Sequence, residues 1–201
     1  MVKTASDMLP LGTPAPDFRL RDAVSGREMT LADQAADRPL LVMFICNHCP
    51  YVVHVRDELR RLADDYAGRL SIVAINSNSL ATHPQDGPEH MKELATRLGW
   101  PFPFLFDSTQ EVAKAYHAAC TPDFFLFAAA SGSGIARPLA YRGQLDGSRP
   151  GNDVPVTGSD LRAAVDALLA GREADADQRP SLGCNIKWSP GNEPDHFADV
   201  R

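Results

Sequence analysis

The sequence predicts an α/β domain built on a mixed sheet, and three observations carry that prediction. Two continuous apolar runs, LLVMFI (Leu40 to Ile45) and LSIVAI (Leu70 to Ile75), read as strands buried on both faces. Between them Val52, Val55, Leu59, Leu62 and Tyr66 recur at helical spacing, with charged residues in the gaps. Strand, helix, strand in that order calls for a crossover and a parallel pair. Further on, Phe124 to Ala128 and Leu139 to Tyr141 form an expected antiparallel hairpin around a Ser131-Gly132-Ser133-Gly134 turn, which makes the sheet mixed.

The remaining elements follow in order. Asp17 to Leu31 alternates around Ser25-Gly26 and reads as an amino-terminal β-hairpin. The helix from Pro50 to Tyr66 has Gly68 as its stop signal. A loop from Asn76 to Pro88 leads to a helix over His90 to Leu98, ended by Gly99. Phe104 to Phe106 is a short strand, Gln110 to Ala118 a short helix and Phe124 to Ala128 a strand. Ser159 to Leu169 is a helix whose start, Thr157-Gly158-Ser159-Asp160, offers capping side chains. After Gly171 the chain turns polar and rich in Pro, Gly and Asn, so residues 1–171 are expected to form the domain and 172–201 a coil extension.

Composition narrows the class of function. The 201 residues carry a formal net charge of -6, with no block of Lys or Arg, which argues against nucleic acid or an anionic membrane as partner. No apolar stretch is long enough to span a bilayer, and the first residues lack the apolar core of a secretory signal, so a cytoplasmic location is expected. Four cysteines (Cys46, Cys49, Cys120 and Cys184) are too few for a disulfide scaffold.

The pair in FICNHCPYV, Phe44 to Val52, carries the chemistry. Cys46 ends a buried strand and Cys49 enters the first turn of a helix, where unpaired backbone N–H groups and the helix dipole favour a thiolate. Asn47 and His48 lie between them, and a protonated histidine would stabilise the thiolate further. Pro50 is tolerated because the first helical N–H groups lack partners. A Cys46 pKa below the ~8.5 of an ordinary thiol is therefore expected. Three chemistries fit the pair: a redox dithiol, a zinc site completed by His117 and Cys120, or two inert buried thiols.

These residues resemble the thioredoxin fold, and within it the larger redoxins near the alkyl hydroperoxide reductase/thiol-specific antioxidant group. The resemblance rests on the apolar strand into Cys46-Asn47-His48-Cys49-Pro50, the helix after it, Thr121-Pro122 before DFFLF, and GTPAPDF (Gly12 to Phe18) at the start. It covers roughly residues 12 to 170. It implies that Cys46 is an exposed attacking nucleophile, that Cys49 is a buried resolving thiol, and that the reaction is thiol–disulfide exchange without an organic cofactor. It also implies a cis peptide bond before Pro122, with Thr121 and Pro122 binding an extended substrate peptide as an edge strand does. The partner would be a protein or small-molecule thiol or disulfide.

The chain also departs from its models. Ile45 replaces the thioredoxin tryptophan, and Leu40 stands where thioredoxins bury an aspartate. The peroxiredoxin pattern P-x-x-x-T-x-x-C fails over Cys49, and over Cys46 it keeps Pro39 but has Met43 for threonine. Thiol peroxidase activity, with Arg142 as the peroxide-binding arginine, is the alternative enzyme. A zinc or soft-metal binding module is the non-enzyme alternative. Cys120 is expected to be a small buried residue, and Cys184 a structural cysteine in a docked tail anchored by Trp188, with additional redox roles for both as the alternatives. His54 is expected on a helix face, the Trp100 to Phe104 stretch in the core, and Arg142, Asp175, Asp177, Glu193 and Asp195 at the surface.

Overall fold

Strand β4, Leu40–Phe44, is buried along its whole length, and its side chains alternate between two apolar layers. Leu41 and Met43 point into one cluster and Leu40, Val42 and Phe44 into the other, as the period of two requires. The computed structural model describes residues 3–130 and 136–194. The Ser131 to Gly134 turn and Asp195 lie outside them.

Around β4 the central sheet has seven strands in the order β3-β2-β6-β5-β4-β8-β9. Strands β2 (Arg19–Asp22) and β3 (Glu28–Thr30) are the expected hairpin, paired antiparallel. Strand β5, Ser71–Asn76, runs parallel to β4 and to β6, Phe104–Phe106. Strands β8 (Asp123–Phe127) and β9 (Leu139–Gly143) run antiparallel beside β4, so the sheet is mixed.

Helix α1, Pro50–Asp65, crosses from β4 to β5 and buries Val52, Val55, Leu59 and Leu62, the face its periodicity marks. Helix α2 spans Pro88–Leu98 and ends on Gly99, whose φ of 60° is the left-handed conformation glycine adopts without penalty. Trp100, Phe102 and Phe104 pack together in the core, as expected. Helix α3 is only Glu111–Ala115, shorter than the sequence pattern.

Helix α4, Ser159–Leu169, has the expected bounds but a different cap. Gly158 is the cap residue, and Asp146 accepts the N–H groups of Thr157 and Gly158 at 2.7 and 2.6 Å. Buried Glu58 on α1 ties the two helices together by accepting from Arg162 at 2.7 Å.

The expected carboxyl-terminal coil is corrected: it contains a strand, β10, Leu182–Asn185. β10 lies antiparallel between β1 (Lys3–Ala5) and β7 (Cys120–Thr121) in a second, three-stranded sheet. Beyond it Trp188 is buried in the layer opposite α1. Among the described residues no helix is long and apolar enough to cross a membrane.

Candidate active site

The chain leaves β4 at the carboxyl ends of the parallel strands, where α/β sheets place their sites. Ile45 still donates to Ile75 O, and the next residue is Cys46. Cys49 caps α1 and Pro50 occupies the first helical position, so both cysteines sit at the helix mouth as the spacing predicts. The peptide bond between Thr121 and Pro122 is cis, as the resemblance implies. Thr121 meets both cysteines: its Oγ1 lies 3.5 Å from Cys46 Sγ, and its carbonyl accepts from Cys49 Sγ at 3.1 Å.

Two expectations about Cys46 are corrected. It is 1% exposed and Cys49 0%, so neither is an open nucleophile. The carbonyl and hydroxyl of Thr121 and the turn carrying Asp86 close around the pair. Nor is the Cys46 thiol held low. Its pKa is pushed well up by the hydrogen bond it gives Cys49, by burial, and by the Asp86 carboxylate. The Cys49 thiol is held far below the ordinary range, first by a hydrogen bond from Cys184 and then by the one from Cys46.

Asp86 is the residue that sequence reasoning missed. It ends a single 3-10 turn, Pro84–Asp86, in the loop after β5, and it is wholly buried. Its carboxylate accepts the Asn47 N–H at 3.0 Å and Asn78 Nδ2 at 2.8 Å, and pairs with His48 Nδ1 at 2.9 Å. Its backbone carbonyl accepts from Asn76 Nδ2 at 2.8 Å. The buried carboxylate absent from β4 therefore reaches the dithiol from another element. The signal for it was a polar run, Asn76 to Ser79, directly after a buried parallel strand; all four of those residues are buried.

The His48 side chain is partly open, 25% exposed. Its ring stacks on that of His83, with centroids 5.1 Å apart, and His83 is lowered by burial and by the neighbouring His48. Cys46 Sγ, a His48 ring nitrogen and an Asp86 oxygen all lie within 4.8 Å of one another. Asn47 holds the turn by donating to Gln85 O at 2.9 Å.

Other candidates fall elsewhere. Among the described residues the metal-type grouping is Cys46, His48 and Asp86, not the proposed quartet: His117 pairs with Asp7 at 2.9 Å. Cys120 is buried, points at Pro122 O, and is raised by burial, as a small core residue would be. Arg142 is neither at the dithiol nor in a surface ion pair; it donates to Leu9 O and Gln178 Oε1, both at 2.8 Å. His54 shares a 2.7 Å hydrogen bond with Ser148, in a shallow cleft beside Pro122. Cys184, expected to be structural, is buried directly opposite Thr121 and touches Cys49. All four cysteines are thiols, with no disulfide between them.

Comparison with known proteins agrees with this geometry. An uncharacterized conserved protein from Geobacillus kaustophilus is 53% identical, with a TM-score of 0.89 over 95% of this chain and 98% of that one. A hypothetical protein from Sinorhizobium meliloti is 50% identical, with a TM-score of 0.87 over 94% and 100% of the two chains. A thiol:disulfide interchange protein of the thioredoxin family from Chlorobium tepidum shares the fold, at 16% identity and a TM-score of 0.58 over 80% of this chain and 98% of that one. No curated protein matches the sequence. Residues 11–138 match the AhpC/TSA family, a span that runs from β2 through β8 and includes the dithiol. The chain belongs to the AhpC/TSA family, and the class of function that comes with it is thiol-based redox chemistry.

Proposed function

We propose that this protein is a thiol–disulfide oxidoreductase whose working couple is Cys46 and Cys49. The observation that carries this reading is the Cys49 thiol at the mouth of α1, in one buried cluster with Cys46 and donating to the carbonyl before the cis proline at 3.1 Å. Loss of the Cys46 proton leaves its thiolate beside His48, whose ring Asp86 orients.

In the reaction, Cys46 thiolate attacks a substrate disulfide, forming a mixed disulfide and expelling one substrate thiolate. Cys49, in surroundings that favour its thiolate, then attacks Cys46 Sγ. The Cys46–Cys49 bond forms, the second substrate thiolate leaves, and two electrons have passed to the substrate. His48 is positioned to take up or return a proton at Cys46. A depressed pKa at Cys49 stabilises the reduced form and makes the disulfide the more ready oxidant.

The test is trapping. Mixed with oxidised glutathione, the Cys49→Ser variant is expected to stop at a glutathione adduct on Cys46, located by peptide mass mapping. Absence of that adduct, with peroxide consumed by the wild-type dithiol, replaces this reading by the thiol peroxidase one.

A further inference from the structure

An extended peptide that approaches a cis proline pairs with the residue before it, as a strand adds to a sheet edge. Here that position is filled by the chain itself. β10 runs antiparallel to β7 and sets Cys184 directly opposite Thr121, the residue whose carbonyl accepts from Cys49. The approach is close. A side-chain carbon on Gly183 would stand 2.1 Å from Thr121 O, so only glycine lets the strand lie there. Cys46, Cys49 and Cys184 belong to one buried cluster.

The segment is fastened on both sides of Cys184. Before it, Ser181 donates its N–H to Ser6 Oγ, and Ser6 donates its N–H to Ser181 O, both at 3.0 Å. After it, Ile186 donates to Ala119 O, Lys187 to Asn78 Oδ1, and Lys187 O accepts from Ser79. A thiol held this way faces its partner at an effective concentration far above that of any dissolved thiol.

We propose that Cys184 is a third redox thiol of this site, a tethered substrate that exchanges with Cys49. The proposal rests on the reading of Cys46 and Cys49 as a dithiol couple. In the step, Cys184 thiolate attacks Cys49 Sγ within the Cys46–Cys49 disulfide. The Cys49–Cys184 bond forms as the Cys46–Cys49 bond breaks, Cys46 leaves as thiolate, and it takes up the proton that Cys184 gave up. No electron leaves the protein, and the oxidising equivalent moves inward while Cys46 returns to the thiol. In the reduced protein the Cys184 thiol is raised first by its hydrogen bond to Cys49 and then by burial, and Lys187 on the same segment acts against both.

The experiment oxidises the full-length Cys46→Ser and Cys46→Ala variants and the wild type in glutathione buffers, then alkylates and maps the bridges by mass spectrometry. Both variants are expected to form a Cys49–Cys184 disulfide that dithiothreitol reverses, and the wild type to show that bridge beside Cys46–Cys49. If the variants yield only glutathione on Cys49, while the wild type forms Cys46–Cys49, the relay is overturned and the dithiol reading stands. If the variants bridge Cys49 to Cys184 but the wild type never forms Cys46–Cys49, the relay has no disulfide to act on and fails together with the dithiol reading. If neither bridge forms in any of the three proteins, both fail.

Discussion

At the scale of single residues, the site is governed by a carboxylate that lies 38 positions from the histidine it orients. Asp86 acts on Cys46 in two opposing ways: its charge disfavours the Cys46 thiolate, and its hydrogen bond fixes the His48 ring that the proposed mechanism uses for proton transfer. Replacing Asp86 by Asn separates them. The plateau rate of Cys46 with a small disulfide should fall about tenfold or more as the imidazole loses its anchor. The midpoint of the pH–rate profile should move to lower pH as the charge is lost. A purely structural role would lower the rate without moving the midpoint. Cys46, Asn47, His48 and Cys49 were legible because they adjoin a strand end and a helix start. Asp86 was not, since nothing in the local pattern of HPQDGP says that its aspartate turns inward.

At the scale of elements, β4, α1 and β5 could be read from hydrophobic periodicity because each is buried on a face that repeats every two or 3.6 residues. β1 and β10 could not. They have three and four residues, and their stability lies in pairing Lys3 with Cys184 across almost the whole chain, for which a local pattern holds no signal. The start of β8 holds another buried acid. Asp123 accepts from Ser6 Oγ at 2.6 Å, and burial raises its pKa from 3.8 to about 7. The folded protein then binds a proton that the unfolded chain has lost. The stabilising contribution is full below a pH of about 4 and is lost as pH rises through about 7. Thermal melts across that interval should show the wild-type melting temperature falling relative to Asp123→Asn. Parallel curves for the two proteins would contradict the assignment.

At the scale of the whole molecule, the carboxyl-terminal segment closes the site that the sheet and α1 build. Its docking depends on Gly183 lying against Thr121 O, so Gly183→Ala should loosen β10 without touching the dithiol. The expected result is faster alkylation of Cys46 by iodoacetamide in the reduced protein. The gain should be about tenfold for each 1.4 kcal/mol of lost docking. An unchanged labelling rate would mean that β10 does not limit access. The central claim is the Cys46–Cys49 couple, and the most direct measurement is a redox titration of the wild-type protein in glutathione buffers, with every thiol alkylated and located by mass spectrometry. The account predicts a Cys46–Cys49 disulfide that forms and reverses with a single midpoint; a titration in which Cys46 and Cys49 never bridge at any buffer ratio would contradict it.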